Sequence, residues 1–168
     1  MPEVDAKAFR RTCGLFTTGV TVITTSVSGQ VHGMTANSFT SVSLNPPLIL
    51  VCVDERSRMA QCLSSAKAFT VNVLGRHQEE VSRHFAGSSG EWRGTFVPFG
   101  ESVRLDDCLA ALSCEVYAQY PAGDHIIVLG LVKDIYQQEE GIPLVFWRGT
   151  YTSLAGDTSR RACLGKIV

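Results

Sequence analysis

The apolar positions of this chain fall mostly into short alternating runs, the period of strands, and helical spacing is confined to three brief stretches. In residues 4–16, Phe9, Cys13 and Phe16 recur at intervals of four and three, which predicts a short amphipathic helix with Asp5 as its cap. Residues 20–26 alternate β-branched side chains, Ser28-Gly29-Gln30 is a turn signal, and residues 31–40 continue as a second strand, so a hairpin is expected. Pro46-Pro47 blocks helix ahead of a third strand, 48–53, whose uniformly apolar composition predicts burial on both faces. Met59, Cys62 and Leu63 share one face of a short helix over 57–65 that Ser57 can cap, 68–74 is a further strand, and Val81 and Phe85 mark a third helix over 78–85. Residues 87–100, rich in Gly and Ser with Trp92, Phe96 and Phe99 interspersed, predict a long mobile loop covering something. A long antiparallel pair, 111–120 with 125–137, turns at 121–124, and 144–151 is expected to close the sheet.

Strands therefore dominate, and no strand-helix rhythm points to a doubly wound fold; a closed antiparallel barrel with a few short flanking helices fits the pattern. At 168 residues the chain reads as one domain, with a core over about 9–154 and a tail over 155–168 that is disordered or packs on a partner subunit. A content of 45% hydrophobic and 18% charged residues is that of a soluble globular protein. The formal charge of −1 gives no electrostatic footprint for nucleic acid, and no apolar run approaches the ~20 residues of a membrane span. With no signal-peptide pattern at the N-terminus, a cytoplasmic protein is expected.

Six cysteines are scattered without a CxxC pair or zinc spacing, so neither a metal site nor a disulfide framework is expected. Cys52 and Cys114 read as small buried hydrophobes, whereas Cys62 and Cys163 are candidates for exposure. His32 and His77 fall near turns and are expected at the surface, and Trp147 is expected in the core.

The densest chemistry lies in residues 35–45, where Thr35, Asn37, Ser38, Thr40, Ser41, Ser43 and Asn45 place seven hydroxyl or amide side chains in eleven positions. Buried, such groups require partners, so the segment is either an edge strand with a polar outer face or a wall that offers donors and acceptors to a polar planar ligand. This segment, with Phe16-Thr17-Thr18-Gly19-Val20-Thr21-Val22-Ile23-Thr24 before it and Gly123-Asp124-His125 after it, resembles the flavin reductase-like family, over about residues 9–151. The resemblance implies the FMN-binding split barrel, a Greek-key β-barrel that forms homodimers, and an NAD(P)H-dependent reductase that supplies reduced flavin to a two-component monooxygenase. FMN or FAD would be the flavin and NADH or NADPH the reductant. No GxGxxG follows a strand, so the nucleotide would not sit on a Rossmann fingerprint.

On that resemblance Thr35, Ala36, Asn37 and Ser38 would line the isoalloxazine and ribityl chain, with Ser41 and Ser43 beside them. Asp54, Ser57 and Arg58 would lie at the phosphate, with Asp54 and Glu55 facing away. Arg56 and Arg58 read equally as solvated charges balancing Asp54 and Glu55. Phe85 would border the flavin or serve as core, with Arg83 and His84 alongside. Tyr151 would stack near flavin or nicotinamide or simply close the barrel. His125 is the expected catalytic residue, beside the nicotinamide, unless it only bonds Asp124 as a turn histidine. Arg83, Arg93 and Arg148 are candidate clamps for a 2′-phosphate. A reductase of the same fold acting on a corrinoid or ferric chelate, and a non-catalytic flavin-binding module, are the alternatives.

Overall fold

The computed structural model describes residues 4–88 and 91–154. The tail from residue 155, Cys163 included, lies outside the described residues. In chain order the elements are α1 (Ala6–Cys13), β1 (Thr18–Gly19), β2 (Thr21–Val27), β3 (Gln30–Ala36), β4 (Phe39–Leu44), β5 (Pro47–Asp54), α2 (Arg58–Ser65), β6 (Ala68–Val73), α3 (Glu79–Phe85), β7 (Phe96–Phe99), β8 (Ser102–Leu105), β9 (Ala110–Ala122), β10 (His125–Gln137), β11 (Val145–Trp147) and β12 (Thr150–Thr152). Both predicted caps form: the Asp5 carboxylate accepts from the Ala8 amide at 2.7 Å and the Ser57 hydroxyl from the Ala60 amide at 3.1 Å.

Seven strands in the order β3-β2-β6-β9-β10-β5-β4 form the principal antiparallel sheet of the described residues. After the β4–β5 hairpin, α2 carries the chain across to β6, which enters between β2 and β9. The sheet rolls around the larger of the two buried clusters among the described residues, and Val20, Val22, Leu74, Leu105, Cys108, Ala111 and Leu144 form the other. Ile23 of β2, Val51 and Val53 of β5, Phe69 and Val71 of β6, Cys114 of β9 and Val128 of β10 belong to a single buried cluster, and Met34 and Ala36 of one edge strand and Phe39 of the other pack against it. Fully burying each large apolar side chain there contributes roughly 1.5–3 kcal/mol. The edges β3 and β4 meet only through the Asn37-Ser38 connection, so the barrel is split rather than closed as its strand pattern suggested.

Several elements depart from expectation. The segment 31–40 is two strands, β3 and β4, broken at Asn37-Ser38. Strand β5 alternates, with Ile49, Val51 and Val53 buried but Leu48, Leu50 and Cys52 half-buried, because only one of its faces meets the core. Residues 144–151 do not close the main sheet; β11 and β12 join β1 in a separate three-stranded sheet. Trp147 is 39% exposed at its end, with the Arg148 guanidinium 4.6 Å from its ring centre. The predicted loop 87–100 contains β7, which pairs with β8, and Trp92 packs edge-on against Phe85 and Phe96.

Cys62 is buried on the inner face of α2, not exposed. The thiols of Cys108 and Cys114 are buried as well, and burial pushes them up to about 11 and about 12, so both stay protonated and inert. His77 is exposed, as expected, whereas His32 is half-buried. Helix α1 buries no side chain, and Phe9 and Phe16 stand in solvent at 59% and 79% exposure.

Candidate active site

The register of three strands gathers the expected site residues at one end of the barrel. Ser38, just before β4, bonds Cys52 of β5, Phe39 opens β4 opposite Val51, and His125, the first residue of β10, lies directly opposite Asp54, the last of β5. Ser57 and Arg58 follow within four residues, at the start of α2.

The expected wall divides into residues that hold the fold and residues left available. The Thr35 hydroxyl donates to the Ser82 carbonyl at 2.7 Å, which fixes β3 to α3. The Ser38 hydroxyl donates to the Cys52 carbonyl at 2.9 Å and accepts from the Cys52 amide at 3.1 Å, extending the β4–β5 ladder by one side chain. Asn37, by contrast, is exposed, with its amide donating only a long 3.3 Å bond to Thr18. Ser41 is exposed, and the Ser43 hydroxyl accepts from the Asn45 amide at 3.2 Å. Because β4 is an edge strand, the backbone groups on its outer side face no neighbouring strand.

At the β5 end, Arg56 is held by Asp54: backbone amide, Nε and Nη2 reach the carboxylate at 2.8, 3.4 and 3.2 Å. That side-chain bond holds the Asp54 carboxyl below the usual carboxylate range. Arg56 is therefore the balancing charge, while the exposed Arg58 has no ion pair among the described residues. The Asp54 carboxylate thus keeps to its own turn.

His125 is oriented by its neighbour. The turn before it is a two-residue one, with Gly123 at φ 68°, a conformation open to glycine, and Ala122 paired to His125. His125 Nδ1 lies 2.7 Å from the Asp124 carboxylate, a contact that also holds the Asp124 carboxyl below its ordinary value. With Nδ1 carrying the proton shared with Asp124, Nε2 is the nitrogen left for another partner.

On the other side of the wall, Phe85 sits in an aromatic cluster, with ring centres 4.8 Å from His84 and 5.1 Å from Trp92, the arrangement of its core alternative. The Tyr151 hydroxyl lies 2.8 Å from that of fully buried Ser82, and the Arg83 guanidinium lies 5.0 Å from the Tyr151 ring centre. Ser82 thus ties Thr35 to Tyr151, a role that sequence reading missed; its one signal is a polar residue on the inward face of a short helix.

The donor set suits a flavin: outward backbone groups and Ser41 on an edge strand, the Asn37 amide, and at Arg58 a cation with no ion pair among the described residues. A planar heteroaromatic ring with a polar edge and an anionic tail needs such groups.

The profile of the flavin reductase like domain matches residues 13–155. The chain belongs to the flavin reductase-like family. It is 43% identical over 148 residues, 88% of this chain and 96% of the relative, to the reductase component of 4-hydroxyphenylacetate 3-monooxygenase from Thermus thermophilus. It is 41% identical over 157 residues to an NADH-dependent flavin reductase from Rhodococcus, covering 91% and 89% of the two chains. Its fold superposes on that of the flavin reductase PheA2 with a TM-score of 0.88 at 43% identity, over 91% of this chain and all of the other. The chain is accordingly a flavin reductase of the split-barrel fold, as its sequence motifs implied. Among the described residues of this flavin reductase, no helix is long and apolar enough to cross a membrane.

Proposed function

We propose that this flavin reductase holds a flavin along the β4 edge, reduces it with NADH or NADPH, and releases it to a partner monooxygenase. The observation that carries the reading is the meeting of Asn37, Ser38, Asp54, Arg58 and His125 at one end of the split barrel. When bound, the flavin supplies the hydride-accepting chemistry itself, so the protein needs to bind, orient and exclude water rather than supply a nucleophile.

Asn37, Ser41 and the outward amides of β4 bind the ring edge and ribityl chain, next to Ala36, which ends β3 and packs against the core. Ser57 fixes the first turn of α2 by capping it, and Arg58 provides the positive charge for the phosphate. Thr35 and Ser38 act on the wall's shape through their internal bonds. His125, held at Nδ1 by Asp124, presents Nε2 to the nicotinamide carboxamide or to negative charge on the reduced ring. Phe85 and Tyr151 flank the wall from the α3 side.

A second copy of the chain completes the site. The large apolar side chains left in solvent, Phe9, Phe16, Leu44, Tyr117 and Tyr120 among them, support a homodimer whose formation covers such surface. The cytoplasm, where reduced nicotinamide nucleotide is available, is the compartment this reading implies.

The test is flavin affinity. Arg58→Ala raises the KM for FMN or FAD roughly tenfold or more through loss of a charge-assisted contact, with the KM for NADH little changed. An unchanged flavin KM overturns the assignment of the phosphate end.

A further inference from the structure

The three arginines that sequence reading offered for a nucleotide phosphate are all engaged. Arg83 pairs with Glu79 at 2.6 Å, Arg93 with Glu91 at 3.5 Å, and Arg148 lies over Trp147. Arg76, which that reading passed over, differs from them. It follows β6, its backbone amide is fixed to the Ile142 carbonyl at 2.8 Å, and its exposed side chain has no ion pair among the described residues.

Arg76 lines a cleft of about 420 Å³ with His77, Leu144, Tyr151, Thr152 and Ser153. Glu79, the carboxylate of the cleft wall, is engaged by Arg83, and the Asp107 carboxylate lies 2.8 Å from His77 Nε2. The cleft therefore holds, in Arg76, a cation with no ion pair among the described residues and, at Thr152 and Ser153, two hydroxyls that can donate to an anion. It is joined to the flavin wall, because Tyr151 bonds the Ser82 hydroxyl while Thr35 bonds the Ser82 carbonyl.

We infer that Arg76, with Thr152 and Ser153, binds a phosphate of the nicotinamide dinucleotide, and that Tyr151 stands between this anion site and the ring-binding wall. The inference rests on the reductase reading and adds to it the residue that recognises the nucleotide's charge. Both the pyrophosphate and the 2′-phosphate of NADPH carry the required chemistry, and the two differ in which nucleotide would feel the loss of Arg76.

The experiment is isothermal titration of NAD+ and of NADP+ into the flavin-loaded protein, alongside steady-state kinetics, for the wild type, Arg76→Ala, Arg76→Lys and the surface control Lys133→Ala. Arg76→Ala is expected to weaken nucleotide binding by roughly tenfold or more, Arg76→Lys to recover part of it, and Lys133→Ala and the KM for flavin to stay at wild-type values. An equal loss for both nucleotides supports the inference with the pyrophosphate as the bound group; a loss confined to NADP+ supports it with the 2′-phosphate. Wild-type affinity for both nucleotides in Arg76→Ala overturns it, as does a loss confined to flavin. A wild-type protein that binds neither nucleotide overturns the reductase reading itself, a result distinct from an unaffected Arg76→Ala.

Discussion

The Tyr151 hydroxyl lies 2.8 Å from the Ser82 hydroxyl, and this bond helps fasten β12 to helix α3 beside β3. Ser82 is fully buried and its carbonyl also receives the Thr35 hydroxyl, so the pair sets the position of β3 as well as of β12.

Removing that hydroxyl leaves a buried serine short of a partner, which costs about 1–3 kcal/mol. Tyr151→Phe is expected to lower unfolding stability by that amount in a denaturant titration while retaining the ring. A stability equal to wild type would show that Ser82 is satisfied without Tyr151.

Much of this was legible in the sequence, where the determinants are local. Asp5 and Ser57 were readable as caps because a cap is set within three residues, and the β9–β10 turn because Gly123 announces a tight hairpin. Ser82 was not, since its partners Thr35 and Tyr151 lie 47 and 69 residues away. The three-stranded sheet escaped because β1 has two residues, too few to show a period. Composition misjudged β5 and Trp147, as apolar character says nothing of which face meets the core. The Arg76 cleft was invisible because its meaning comes from Glu79 being engaged by Arg83, which leaves Arg76 without an ion pair among the described residues.

Gly33 provides a test of the contact between β3 and α3. A β-carbon built there would lie 2.5 Å from the Phe85 ring, closer than any real contact permits. Gly33→Ala is expected to destabilise the fold by about 1–3 kcal/mol through overpacking, and Phe85→Leu introduced with it to restore part of that loss. Strict additivity of the two substitutions would contradict the contact.

The Asp124–His125 pair makes a prediction in pH. Asp124 titrates below its ordinary value of 3.8 because His125 bonds its carboxylate, so its stabilising contribution is present above that value and is lost as pH falls through the lower folded one. The difference in Tm between wild type and Asp124→Asn is therefore expected to shrink as the pH falls below about 4. Because the pair is exposed the difference is small. At neutral pH the same substitution is expected to lower kcat/KM, since the imidazole loses the group that orients it.

The central claim is that this protein reduces flavin with His125 beside the reacting rings, and anaerobic stopped-flow absorbance of the flavin band tests it most directly. Mixing the flavin-loaded protein with NADH or NADPH is expected to bleach the flavin rapidly, and His125→Ala to slow that bleaching by about a hundredfold, as for loss of one preorganised group at a developing charge. Reduction by neither nucleotide faster than in free solution, or bleaching in His125→Ala as rapid as in wild type, would contradict the account.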